Sequence, residues 1–357
     1  MLSSIKNITR SGLLLLAATA VFTACNKVPE VEDIKPSTPS GQSIADIINT
    51  DANYSILKAA ATKAGVLGVW GNVNNKLTLF APDNAAMTRS GISEAVVGGM
   101  PAAQLAAILS YHVVPQAIPS AAIPTLPYPN IQMPSMLQPL ATQPLFKMPI
   151  FPSRRTAGAY VNNIPLTGFD KQAANGYIHT TYALVMPPQA TLKTLIAGAN
   201  DLSFLRAAIA RADEGSTGLS RIDSLLNYAF PNITLFAPTD DAFKAGLTML
   251  GLPPAIETIN ALPVQTVRGI LAYHILAING TPTFRVFTPN MYSGTAETLL
   301  GPASTGMPPL TFDATNPLAP TVKGRVNPSA SNIVTRDIHG VNGVIHKIDQ
   351  ILLPFMP

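Results

Sequence analysis

The sequence predicts an α+β fold made of two tandem copies of one domain, and three observations lead there. Four of the five histidines fall in matched pairs: Tyr111-His112 is answered by Tyr273-His274, and Asn175-Gly176-Tyr177-Ile178-His179 by Asn342-Gly343-Val344-Ile345-His346. Upstream, Thr78-Leu79-Phe80-Ala81-Pro82 recurs letter for letter as Thr234-Leu235-Phe236-Ala237-Pro238. In both halves, runs at helical spacing come first and strand-like runs follow, which argues for α+β rather than a parallel wound sheet.

Spacing sets the size of the repeat. The offset between copies grows from 148 residues at Ile56/Phe204 to 156 at Thr78/Thr234, 162 at His112/His274 and 167 at His179/His346. Solenoid repeats run to ~20–50 residues and independent domains to ~100–150, so each copy is a domain and the second carries small insertions. The chain then divides into a leader at 1–24, a tether at 25–42, a first domain at 43–189 and a second at 190–357. The junction falls near Pro187-Pro188-Gln189-Ala190.

In the leader, Lys6 and Arg10 precede an uncharged stretch from 11 to 24 centred on Leu13-Leu14-Leu15-Leu16. A basic start, a short apolar core and small residues at the end are the layout of a secretory signal. The core falls short of the ~20 residues that cross a bilayer as a helix. Cys25, the sole cysteine, follows directly, and Phe22-Thr23-Ala24-Cys25 resembles a bacterial lipobox, whose cysteine carries the lipid of the mature protein. Ordinary cleavage beside an incidental thiol is the alternative. Acyl chains contribute ~0.8 kcal/mol per buried methylene and hold a protein durably at a membrane; the expected place is a bacterial outer membrane, facing periplasm or exterior. Residues 26–41, rich in Pro, Ser, Thr and charge, read as a flexible tether.

Each domain opens on a helical pair. Ser43-Ile44-Ala45-Asp46-Ile47-Ile48 aligns with Thr191-Leu192-Lys193-Thr194-Leu195-Ile196, with Ser43 and Thr191 as N-caps. Ile56, Leu57, Ala60, Ala61 and Ala64 recur as Phe204, Leu205, Ala208, Ile209 and Ala212, one apolar helix face. The Thr-Leu-Phe-Ala-Pro run reads as a buried strand stopped by proline. Asp83 and Thr239 then open a helix that turns Met87 or Phe243 inward. Leu105, Ile108, Leu109 and His112 form a later helix face, as do Val267, Ile270, Leu271 and His274. Val113-Val114 and Ile275-Leu276 read as strand starts, 344–352 as a closing strand, and Asn342-Gly343 as the turn before it.

At these residues the chain resembles the fasciclin-domain family. The run from Thr234 through Phe236 and Pro238 to Phe243 is similar to its first motif, Leu271-Ala272-Tyr273-His274 to its tyrosine-histidine motif, and the run from Asn342 and Gly343 through His346 to Pro354 to its second motif. The first copy departs at Asp83, Met87 and Thr181-Tyr182. The resemblance implies a wedge of two short β-sheets with helices clustered at one end, and a role in adhesion or extracellular binding without catalysis. It places a candidate binding surface at Tyr111, His112, Tyr273 and His274, for which core packing is the competing reading.

One stretch stands outside the pattern. Between 115 and 152 the first copy carries ten prolines interleaved with Leu, Ile, Met and Phe. An extended cover along the sheet and a partner-binding surface are its two readings.

Composition narrows the chemistry. Charged residues are 12% of the chain against 47% apolar, and Lys6 and Arg10 supply half of the formal charge of +4, so nothing points to nucleic acid. The motif histidines have no Cys, His or Glu at ligand spacing, and are expected to hydrogen-bond backbone groups in the core, with neither metal nor cofactor. Asp213-Glu214 and Asp240-Asp241 read as caps and loops. There is no Gly-x-Ser-x-Gly elbow and no glycine-rich phosphate loop. The expectation is a non-enzyme: a membrane-anchored extracytoplasmic adhesion or matrix-binding protein with a protein or glycan ligand. The alternative is a surface lipoprotein capturing glycans or peptides for uptake.

Overall fold

The computed structural model describes residues 40–356 apart from 124, 126–130, 140–141, 156–157, 230–231 and 282–284. The leader, Cys25 and the tether up to 39 lie outside the described residues.

The first copy runs α1 (Ile44–Thr50), α2 (Ser55–Ala64), α3 (Leu67–Gly71), β1 (Leu77–Pro82), α4 (Asn84–Arg89), α5 (Glu94–Gly99), α6 (Ala102–Tyr111) and β2 (Val113–Val114). A small hairpin of β3 (Met133–Pro134) and β4 (Pro149–Ile150) leads to β5 (Pro152–Arg155), β6 (Gly158–Val161), β7 (Ile164–Ala173) and β8 (Gly176–Thr181). The second copy repeats the scheme with α7 (Leu192–Gly198), α8 (Ser203–Ala212), α9 (Ile222–Asn227), β9 (Ile233–Pro238), α10 (Asp240–Met249), α11 (Ile256–Ala261) and α12 (Val264–Tyr273). Its strands β10 (Gly294–Ala296), β11 (Leu310–Asp313), β12 (Thr321–Lys323), β13 (Ser331–Gly340) and β14 (Gly343–Ile348) follow.

The helix starts lie where the caps place them. Ser43 forms a full capping box with Asp46, Thr191 accepts from the Thr194 N–H, and Asp83 and Thr239 cap the helices after the repeated strand. Each such cap contributes about 1 kcal/mol. Asp240, the first residue of α10, accepts from the Phe204 N–H at 2.9 Å at the start of α8, and Asn84, the first of α4, does the same for Ile56 at 3.0 Å. Asp213, buried, takes the Ile222 and Asp223 N–H groups and so caps α9.

Each copy holds one six-stranded sheet, in the order β2-β1-β8-β7-β6-β5 and β10-β11-β12-β13-β14-β9. The two short sheets of the expectation are thus continuous in each copy, bridged by the ten-residue strands β7 and β13. Each long strand breaks register twice against its neighbour, and Asp170 and Asp337 adopt left-handed φ of 54° and 59° there. Such bulges bend a strand and curl the sheet. Strands β1 and β9 lie parallel to β8 and β14, inside an otherwise antiparallel sheet. All six residues of β1 and of β9 are buried because helices cover one face and the curl closes over the other. Leu79 and Leu235 accordingly join the helix-side clusters, while Phe80 and Phe236 join the clusters inside the curl.

Three local expectations differ from what is found. Ile275 and Leu276 make only single bridges, to Leu235 and Thr298, in place of a strand. The closing strand stops at Ile348, after which the chain bends so that the Leu352 N–H can reach a ring nitrogen. Asn342-Gly343 is not the centre of the turn: Gly340 pairs with Gly343, and Val341 and Asn342 form the connection. The proline-rich stretch is largely a cover. Ile118, Ile123, Met148 and Ile150 are buried inside the first curl, and Met136 bonds the Val113 carbonyl.

Candidate functional site

The four motif side chains expected at a binding surface lie inside. Tyr111, His112, Tyr273 and His274 are each 0% exposed, so the surface role is corrected to a structural one. The reason is local: each pair ends a helix packed on the sheet, and the turn that follows carries the ring inward. His112 has Nδ1 2.8 Å from the Ile108 carbonyl, and its Nε2 accepts from the Val185 N–H at 3.0 Å. His274 repeats this with Ile270 at 2.7 Å and Leu352 at 2.9 Å. An Nε2 that accepts forces the proton onto Nδ1, so both rings are neutral. Burial pushes both pKa values down to about 4. Tyr111 donates to the Pro149 carbonyl at 3.0 Å and Tyr273 to that of Pro309 at 2.8 Å. Burial raises the Tyr111 phenol to about 12.

The strand histidines are wired in the opposite sense. His179 has Nε2 2.9 Å from the Ile118 carbonyl while Nδ1 accepts from the Asp170 N–H; His346 does the same with Val286 and Asp337. Each ring ties the bulge of the long strand to the loop inside the curl and packs on Phe80 or Phe236. Thr78 and Thr234 anchor the same loops through the Ile118 and Val286 N–H groups. Asn342 binds its own copy together: its Oδ1 accepts from the Leu192 N–H and its Nδ2 donates to the Leu226 carbonyl. Asn175 does this with Ile44, Trp70 and Asn72. The repeated motifs are therefore internal fastenings. Among the described residues no three His, Cys, Asp or Glu side chains converge as a metal site would require.

What faces outward is decided where the copies meet. The outer strand β5 of the first sheet runs against the turn Thr288–Asn290 of the second copy. Arg155 donates to the carbonyls of Pro289, Asn290 and Met291, and the Phe151 and Phe287 rings lie 5.8 Å apart. Arg285, 1% exposed, stacks 4.8 Å from the Phe151 ring. Its guanidinium donates to His339 Nε2 at 2.6 Å, to the Gly340 and Val341 carbonyls and to Asn232, whose amide reaches Gln132 of the first copy. Burial lowers the Arg285 pKa to about 10, and burial next to Arg285 keeps His339 neutral.

Sequence reasoning missed this seam, yet a signal was present in the mismatches between copies. His339 is the one histidine without a counterpart, the first copy having Gln172 there, and Arg285 stands where the first copy has Ala117. Arg285→Ala is expected to cost about 3 kcal/mol by leaving buried acceptors unpaired. It should also split one thermal unfolding transition into two; an unshifted single transition would show that the seam holds nothing together.

Comparison with known proteins agrees with the repeat. The Fasciclin domain model matches residues 52–187 and 207–354. Protein sll1483 of Synechocystis sp. is 29% identical over 213 residues, spanning 57% of this chain and 99% of its own. A solved FAS1 domain pair from the insect cell adhesion molecule Fasciclin I covers 84% of this chain and 95% of its own, at 16% identity and a TM-score of 0.38. With family matches over both copies and well over half of the 357 residues, the chain belongs to the fasciclin domain family.

Proposed function

We propose that this chain is an extracytoplasmic adhesion or matrix-binding protein, held at a bacterial outer membrane by lipid on Cys25 and acting by contact rather than turnover. The observation that carries the reading is the family match in both copies, since fasciclin domains are typically cell-adhesion and extracellular binding domains. The engagement of the motif histidines in backbone bonds supports it, because it leaves the repeated polar residues with scaffold duties. The lipobox-like run Phe22-Thr23-Ala24-Cys25 supports the anchor, and among the described residues no helix is long and apolar enough to cross a membrane. Capture of peptides or glycans for uptake is the second reading, favoured by a cleft lined by Arg155 and Tyr160 of the first copy and Met291 and Arg336 of the second.

Two measurements test the proposal. Cys25→Ser is expected to move the protein from the detergent-rich to the aqueous phase on partitioning and to abolish incorporation of labelled fatty acid. Unaltered partitioning of that variant removes the anchor. Beads coated with the full chain should attach to cells or matrix above an albumin control; attachment equal to the control removes the adhesion role.

A further inference from the structure

We propose that the cleft between the two copies takes an extended acidic peptide segment of a partner protein, seating a carboxylate beside an aliphatic side chain. This rests on the binding-protein reading above. The cleft encloses about 610 Å³ and is walled by both copies, with Arg155 on one side and Met291, Leu318, Arg336 and Asp337 on the other. Sites of this size form preferentially at domain interfaces.

Its walls are set before any ligand arrives. Arg155 is tied to three carbonyls of the second copy, and the Asp337 carboxylate accepts from the Thr288 N–H at 2.7 Å and from the Thr288 hydroxyl. Asp170 makes the same pair of bonds to Ser120 in the first copy, so that fastening belongs to the fold. Two neighbours do not. Leu318 is 76% exposed, and the exposed Arg336 donates to the Leu318 carbonyl at 2.5 Å. The first copy carries Phe169 at the place of Arg336, so the repeat itself demands no cation there.

The chemistry selects the occupant. Two guanidinium groups face a single carboxylate already held by Thr288, so the complement is an anion, and a carboxylate suits the guanidinium fork. The remaining lining joins Tyr160 and Asn163 of the first copy to an aliphatic wall of Pro289, Met291, Pro317 and Leu318. A sugar chain could use Tyr160, Asn163 and the guanidinium groups, but it would leave the proline, leucine and methionine wall unfilled. An extended peptide that alternates acidic and aliphatic side chains satisfies both features.

The test uses the full chain with short fluorescein-labelled peptides alternating aspartate and leucine, their lysine and leucine counterparts, and a labelled polygalacturonate oligomer. Anisotropy titration at low salt is expected to show saturable binding of the acidic peptide alone, weakened about tenfold or more by Arg336→Glu and by Leu318→Ser. Both side chains are exposed, so both variants should keep the melting temperature of the parent, measured in parallel. Binding unchanged in both variants, equal binding of the lysine peptide, or binding of polygalacturonate in place of the peptide would each overturn the proposal. Attachment to cells by a chain that binds none of the peptides overturns the cleft and leaves the wider reading standing. Peptide binding lost in the two variants supports the cleft even where attachment fails.

Discussion

Acidification from pH 7 to pH 4 is expected to remove roughly 6 kcal/mol of unfolding free energy through His112 and His274 alone. Both rings are buried and neutral, with pKa values of about 4 in the folded chain, while a histidine in the unfolded chain titrates near 6.5. Between those values the unfolded chain binds more protons than the folded one, so stability falls as the pH drops. The contribution is complete above about 6.5 and is lost progressively on the way down to about 4. His179, His339 and His346 are lowered in the same direction, chiefly by burial, and steepen the loss. Protonation cannot be absorbed in place, because one nitrogen of each motif ring must accept a backbone N–H. Urea unfolding midpoints between pH 7.5 and pH 4.5 measure this directly. A midpoint that stays constant across that range would mean the rings are not buried in the neutral form.

Gly176→Ala is expected to prevent the first copy from folding. Gly176 sits at φ +147°, a backbone region open essentially to glycine alone, and an added Cβ would lie 1.7 Å from the Leu77 carbonyl oxygen. That oxygen belongs to the parallel partner strand, so relief requires β1 and β8 to separate, with loss of the strand pair on which both core clusters rest. The expected cost exceeds about 4 kcal/mol, the exceptional end of single substitutions. Gly343→Ala poses a similar clash in the second copy, 2.4 Å from the Ile233 carbonyl oxygen. Gly98→Ala is the control: it lies in α5 with nothing within 4 Å of the added Cβ, and should be neutral or stabilising by up to ~1 kcal/mol. Limited proteolysis read by mass spectrometry distinguishes the cases. A Gly176→Ala chain whose first copy resists digestion as the parent does would refute the close-approach argument.

Much of the fold is legible in the sequence wherever the determinant is local. Caps at Ser43, Asp83, Thr191 and Thr239, the apolar face of α2 and α8, and the buried repeat strand all follow from residues a few positions apart. What escapes is set by partners far along the chain. The Asn-Gly pair looks like a turn by composition, but Asn342 serves as a cap for α7 150 residues away and Gly343 as a point of close strand approach. The tyrosine-histidine pairs announce a shared role without saying that it is internal, because the Pro149, Val185, Pro309 and Leu352 backbone groups they meet lie 36 to 78 residues further along the chain. The seam was least visible: Arg285 reads as an ordinary surface cation until Phe151 and His339 are brought to it. Mismatch between otherwise matching copies is the one trace that such a residue leaves.

The parallel pairing of β1 with β8, and of β9 with β14, has a kinetic consequence. In each copy an early strand waits for its neighbour until ~100 further residues have been made, and pairings so distant in sequence form slowly because the intervening loop must first be closed. Until then the edge of β1 that meets β8, and the edge of β9 that meets β14, stay uncovered, and both strands are apolar but for Thr78 and Thr234. Each copy is thus a module sealed by its own final strand, and truncation a few residues short of that strand would release a sticky, half-built chain rather than a shorter working protein.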